Sequence, residues 1–250
     1  MKNKVFISGS ITIKQLPRCV EDSLQRIKEQ NLGLLVGDAD GTDTMVQNYC
    51  KRINYLNVSV YSIYSSPRYK VPEFNKKYIL VKSDSKKERE RQKEKDAAMT
   101  KDSEYSLVIW DGKSKGSYQN ILRALEHNKK IKVYLHLENK FLEPDKITNE
   151  EIEFIYRKNN GYTAKEVVEY LISEGEDYFQ QTRAFNKCLM EQRIIKKEDG
   201  VYLPMPQYEK LIIIDKYRGK IKGIKFNNDF INWVEKWVKE IKPPEELSMF

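Results

Sequence analysis

Three short glycine-containing loops, each following an apolar run, constrain this chain more than any other feature. Val5-Phe6-Ile7 leads into Ser8-Gly9-Ser10. Leu32 to Val36 leads into Gly37-Asp38-Ala39-Asp40-Gly41-Thr42-Asp43. Leu107 to Trp110 leads into Asp111-Gly112-Lys113-Ser114-Lys115-Gly116-Ser117. A short apolar run closed by turn residues reads as a buried strand. Helical spacing fills the intervals: Leu16 to Gln30 puts Val20, Leu24 and Ile27 on one face with Pro17 near its start, and Met45, Val46, Tyr49 and Ile53 line the next helix. Val58 to Tyr64 alternates like a strand, Asn120 to Asn128 is helical, and Ile131 to Leu137 is a fifth strand. Strands alternating with helices predict an α/β class, a Rossmann-like parallel sheet of about five strands with flanking helices and right-handed crossovers. Between them, 65–81 reads as an irregular loop and Lys82 to Lys101 as a charged, solvated helix.

A boundary near Glu143-Pro144 separates this domain, residues 1–142, from a small, mainly helical one, residues 143–250. Helical patterns at Asn149 to Arg157, Ala164 to Ser173 and Gln181 to Gln192 precede a hairpin over 194–203 with Asp199-Gly200 at its turn. Three helices then a hairpin is the element order of a winged helix. Leu211 to Ile214 reads as a short strand, and Phe230 to Ile241 as an amphipathic helix carrying Trp233 and Trp237.

In an open α/β sheet the loops after parallel strands share one edge, and ligands bind there where the strand order reverses. Glycine lets backbone approach a ligand closely, and the helix start after each loop offers N–H groups and the positive end of the dipole to phosphate. The expected ligand-binding residues are Ser8, Gly9 and Ser10 from the first loop and Gly37, Asp38, Ala39, Gly41, Thr42 and Asp43 from the second. Asp111, Gly112, Lys113, Ser114, Gly116, Ser117 and Asn120 complete the set. The spacing of the second loop is neither that of a P-loop nor that of a dinucleotide fingerprint.

In order and spacing, the three loops with Asn120 resemble the SLOG superfamily, the DprA-like and LOG-like Rossmannoid proteins. The resemblance covers about the first 140 residues. It implies a fold that binds nucleotides or their derivatives, in members that cleave N-glycosidic bonds, sense nucleotide signals or bind DNA. LOG-type enzymes carry a catalytic Glu three residues after a Gly-Thr pair. Here Gly41-Thr42 matches the pair and Met45 stands in place of that Glu. Asp43 matches the Asp of a Gly-x-Asp variant.

Other carboxylates are therefore the catalytic candidates: Asp43, Asp96 and Asp111. A carboxylate can stabilise the oxocarbenium-like state of N-glycosidic cleavage or activate water. The same residues have plainer roles, since Asp43 could cap a helix and Asp38 or Asp40 shape an Asx-turn. The leading expectation is a nucleotide-binding protein that cleaves its ligand's N-glycosidic bond. A non-catalytic sensor relaying to DNA or a protein partner comes second, and single-stranded DNA binding third.

Composition adds exclusions. Three cysteines, Cys19, Cys50 and Cys188, lie far apart and only His127 and His136 accompany them, so no metal site and no cofactor are expected. Free thiols, with a first strand close to Met1, predict a reducing, cytoplasmic setting, and no apolar run approaches membrane-spanning length. The formal charge of +8 favours anionic partners, though its lysines are scattered rather than focused. Within the second domain, Gln181, Thr182, Arg183, Asn186 and Lys187, with Lys196 and Lys197 of the hairpin, are of types that suit DNA, while the intervening acids suit a protein contact. Trp233 and Trp237 could mark a homodimer surface, with packing onto their own domain the simpler account.

Overall fold

A computed structural model of the chain describes residues 3–81, 87–217 and 219–241. The polypeptide divides into two compact units, Met1–Glu153 and Phe154–Phe250.

The first unit runs β1 (Lys4–Gly9), α1 (Arg18–Glu29), β2 (Gly33–Val36), α2 (Thr42–Arg52), β3 (Val58–Ser62), β4 (Asn75–Tyr78), α3 (Glu88–Lys101), β5 (Tyr105–Trp110), α4 (Lys115–Glu126), β6 (Lys130–Leu135) and β7 (Lys140–Phe141). These strands form one sheet in the order β4-β3-β2-β1-β5-β6-β7. Every pairing is parallel except β6 with β7. The α/β class and parallel sheet match the expectation, and β4 and β7 extend its five strands. All four β4 residues are exposed, so the strand has no apolar alternation to betray it inside the expected loop 65–81. It lies at the sheet edge, where Lys77 and the Tyr61 hydroxyl both reach the Asp102 carboxylate. The expected helix from Lys82 begins at Glu88 in the described part, with 82–86 outside the described residues.

The helices end where the sequence provides a residue that tolerates left-handed backbone. Asn31, Asn54 and Asn128 follow α1, α2 and α4 with φ of 50, 52 and 50°. Alternation in the strands sorts the core onto two faces. Val5, Ile7, Leu34, Val36, Leu107 and Ile109 pack with Val20, Leu24, Val46 and Cys50 of α1 and α2. Phe6, Leu35 and Tyr61 face the other way, against Met99 of α3. Cys50 is a core thiol pushed up to about 12 by burial.

The second unit contains the C-terminal part of α5 (Asn149–Asn160), α6 (Ala164–Ser173), α7 (Thr182–Glu191), the hairpin β8 (Ile195–Glu198) and β9 (Val201–Pro204), a second hairpin β10 (Ile212–Tyr217) and β11 (Lys220–Phe226), and α8 (Asn228–Ile241). A capping box starts α6, with Thr163 and Glu166 each accepting the other's backbone N–H. Asp199 and Gly200 turn the first hairpin with positive φ at both positions. The second hairpin replaces the short strand expected over 211–214, because Lys220, Lys222 and Lys225 disguise β11 as a charged loop. Trp233 and Trp237 stack on each other at 5.3 Å, and Trp237 also stacks on Phe179, inside the unit's own core. No helix among the described residues is long and apolar enough to cross a membrane.

Candidate functional site

Strand order reverses between β1 and β5, each of which leads into one of the glycine loops. Ser10 ties those two loops together. Its hydroxyl accepts from the Asp111 backbone N–H at 3.1 Å and from the Ser114 hydroxyl at 2.8 Å, and its carbonyl accepts from the Thr42 hydroxyl at 2.9 Å. Gly9 makes this closeness feasible, since a Cβ there would lie 2.6 Å from Thr42 and 2.7 Å from the Ile109 carbonyl oxygen. Gly41, at φ 79°, packs directly on the Ile11 backbone before α2.

A cavity of about 320 Å³ opens at this crevice, on the sheet face that carries α3 and α4. Of the residues expected from sequence, Ser8, Gly9, Gly37, Ala39, Asp43, Asp96, Ser114, Gly116, Ser117 and Asn120 line it. Ser10, Asp38, Gly41, Thr42, Asp111, Gly112 and Lys113 lie outside its lining and act on the loops instead. Asp111 has no free oxygen: Oδ1 accepts from the Lys113 and Ser114 backbone N–H groups at 2.9 and 2.7 Å, and Oδ2 from Thr12 at 2.6 Å. Burial acts against ionisation of Asp111, and those hydrogen bonds overcome it to hold the carboxyl below its ordinary value. Asp38 is fully buried and accepts from Ser62 at 2.7 Å and from the Arg68 guanidinium and backbone N–H at 2.8 and 3.1 Å. There too burial is outweighed by the hydrogen bonds, and the carboxyl stays ionised below the usual range. Asp38 thus pins the 65–78 stretch and holds Arg68 at the cavity wall.

Asp43, Lys95 and Asp96 form the charged centre. Gly37 lets Asp43 and Lys95 close in: a Cβ on it would sit 2.3 Å from Asp43 Oδ2 and 2.9 Å from Lys95 Nζ. Asp43 accepts only the Ala39 backbone N–H, at 3.2 Å, among the described hydrogen bonds. Loss of solvent pushes it to about 6, against the attraction of Lys95. Lys95 is itself buried, 3.3 Å from Asp96. Burial would lower it, but the carboxylates of Asp96, Asp43 and Asp38 hold it above its ordinary value. A carboxyl near 6 beside a fixed ammonium exchanges protons near neutral pH.

The far wall is the start of α4. The hydroxyl of Ser114, the N-cap residue of α4, is turned to Ser10, so no side chain caps the helix start. Gly116 sits there with nothing within 4 Å of where a Cβ would be. Uncapped N–H groups and the dipole make such a terminus attractive to phosphate. On the same cavity's lining, the buried hydroxyl of Ser8 has no hydrogen-bond partner among the described residues. It is an orphaned polar group on a cavity wall, beside Phe6 and Met99.

Sequence reasoning missed Gln47, whose fully buried amide donates to the Gly37 carbonyl at 2.9 Å and accepts from the Val71 N–H at 3.1 Å. Arg68, Lys95 and Arg91 are by type able to reach phosphate or to stay solvated, and the fold buries Lys95 beside Asp96. Trp110 is core: its indole donates to the Ser114 carbonyl at 3.2 Å and its ring stacks on Tyr118.

No family model and no curated protein matches the chain. Among solved structures, it is similar to DNA processing protein A from Helicobacter pylori, whose structure was described for its single-stranded DNA binding mode. The two share 14% identity at a TM-score of 0.40, over 76% of this chain and 81% of that one.

Proposed function

We propose that the first unit is a SLOG-type domain that binds a nucleotide or nucleotide derivative in the crevice between β1 and β5 and cleaves its N-glycosidic bond. The observation that carries this is the desolvated Asp43 facing buried Lys95, in a cavity whose opposite wall is the uncapped start of α4. The phosphate lies on the N–H groups around Gly116, and the sugar reaches back towards Asp43 and Asp96. The base leaves with the electron pair of the C–N bond and takes up a proton from solvent, while positive charge grows at the anomeric carbon beside the Asp96 carboxylate, which stabilises it. Asp43, near 6, takes the proton of the attacking water. Asp111, with its lone pairs committed to the loop, shapes the site.

A second reading, a nucleotide sensor, is favoured by Met45: it packs with the α1–α2 side of the core and supplies no acid to the cavity. In that case the second unit, taken as a winged helix, relays occupancy to DNA or a protein, and a homodimer is the simplest assembly. Mass spectrometry of small molecules released from the purified protein, then incubation with a nucleotide panel, separates the readings. Free base plus sugar phosphate, lost in Asp43→Asn, supports cleavage. Intact nucleotide without turnover supports the sensor. Neither ligand nor turnover, with salt-sensitive single-stranded DNA binding, overturns both.

A further inference from the structure

The opposite end of β1 carries a second cavity, of about 410 Å³, on the other face of the sheet. Its position follows from the topology. α1 and α2 pack on this face, and β6 is followed by antiparallel β7 rather than by a crossover helix. Lys130 and Lys132 alternate with Tyr134, a member of the α1-side core, so both project onto the face that α1 leaves open, and both are exposed. Val5, Leu107 and Ile27, all buried, form the apolar floor and wall. Arg26 of α1 faces the two lysines across the cavity.

Three cations thus border an apolar hollow, and no Asp or Glu is among the described residues that line it. Lys130 Nζ lies over the Tyr105 ring at 5.8 Å, and Lys132 Nζ over the Phe141 ring at 5.1 Å. Like charges two residues apart on one strand face repel at short range. A bound anion relieves that repulsion, while an apolar group gains by covering the half-buried Leu32, Tyr105 and Ile131 on the cavity wall. The volume lies in the range of small-molecule sites.

We propose that this cavity binds a small amphipathic anion: one apolar ring system or short chain lying against Leu32, Tyr105 and Ile131, with a carboxylate, sulfonate or phosphate held between Arg26 and the pair Lys130 and Lys132. The site is separate from the crevice between β1 and β5 and does not rest on the reading given for it.

The test is calorimetric titration of the full chain with 1-naphthalenesulfonate. One saturable site is expected, with uncharged 1-naphthalenemethanol binding at least about tenfold more weakly. Lys130→Glu/Lys132→Glu, at two exposed positions, weakens the sulfonate about tenfold or more, and Arg26→Gln weakens it severalfold. Lys113→Glu/Lys115→Glu, between β5 and the first turn of α4, leaves it unchanged. Equal affinity in the Lys130/Lys132 variant overturns the proposal, as does loss of binding in the Lys113/Lys115 variant. Sedimentation that finds wild type self-associating through this face, with no sulfonate bound and the Lys130/Lys132 variant monomeric, also overturns it, because the occupant is then a second copy.

Discussion

Replacing Asp43 by Asn removes a carboxyl whose ionisation burial opposes, and the size of the effect follows from its surroundings. Burial raises the carboxyl from 3.8 to about 6. The native state therefore holds a proton that the unfolded chain releases between about pH 4 and pH 6, so stability falls as pH rises through that window. A displacement of that size corresponds to about 3 kcal/mol, fully present below the unfolded value and lost once the pH passes the folded one. Asparagine retains an acceptor for the Ala39 N–H, 3.2 Å away in the parent, and carries no charge to desolvate. Lys95 keeps its ion pair with Asp96 at 3.3 Å. Wild type and Asp43→Asn should thus be about equally stable at pH 4, with the variant ahead by up to about 3 kcal/mol at pH 7.5. Denaturant titrations read by hydrogen exchange in β1, β2 and β5 peptides isolate the first unit from the tryptophan-rich second. A difference that stays flat from pH 4 to pH 7.5 would refute the reasoning. It would mean that the attraction of Lys95 outweighs desolvation and keeps Asp43 ionised throughout.

Other positions give shorter tests. Gly9→Ala forces a Cβ to within 2.7 Å of the Ile109 carbonyl and should cost roughly 1–3 kcal/mol in thermal unfolding of the first unit; an unchanged midpoint would deny the close approach of β1, α2 and β5. Asp38→Asn removes the buried carboxylate that Arg68 pairs with, leaving it Glu88 at 3.4 Å, and should cost roughly 1–3 kcal/mol in thermal unfolding of the first unit. Because Asp38 is held below the ordinary range, its stabilisation is present above the unfolded value and lost as pH falls through the folded one, so the deficit narrows on acidification. Gln47→Ala deprives the Gly37 carbonyl and Val71 N–H of their partner and should cost roughly 1–3 kcal/mol, with faster exchange at Val71; unaltered exchange there would count against the bridge. Phe230→Ala empties the aromatic centre of the second unit and should cost roughly 3–5 kcal/mol there, leaving exchange in β1 and β5 unaffected.

The sequence by itself determined the alternation of the first unit and the edge on which its loops gather. Buried parallel strands need unbroken apolar runs such as Leu34-Leu35-Val36, and crossover helices need one apolar face, and both patterns are local in the chain. It also marked the loops that build the cavity, since Gly9 and Gly37 close the apolar runs that lead into them. The hairpin at Asp199-Gly200 and the Trp233–Trp237 helix were equally legible, because turn chemistry and helical spacing are local too. Edge strands were not: Asn75–Tyr78 and Lys220–Phe226 draw their order from backbone pairing to a neighbour, which requires no apolar pattern.

Tertiary structure alone decided the division of labour among the carboxylates. Asp38, Asp43 and Asp111 look alike in sequence, each in a polar loop after a strand. Their roles diverge through partners far along the chain: Arg68 holds Asp38, Thr12 helps occupy Asp111, and Lys95 stands beside Asp43. Whether an acid is spent on the loop or left facing a cavity depends on how many donors the fold delivers to it and how much water it removes. Both are set by residues that become neighbours only when β1, β2, β5, α3 and α4 pack.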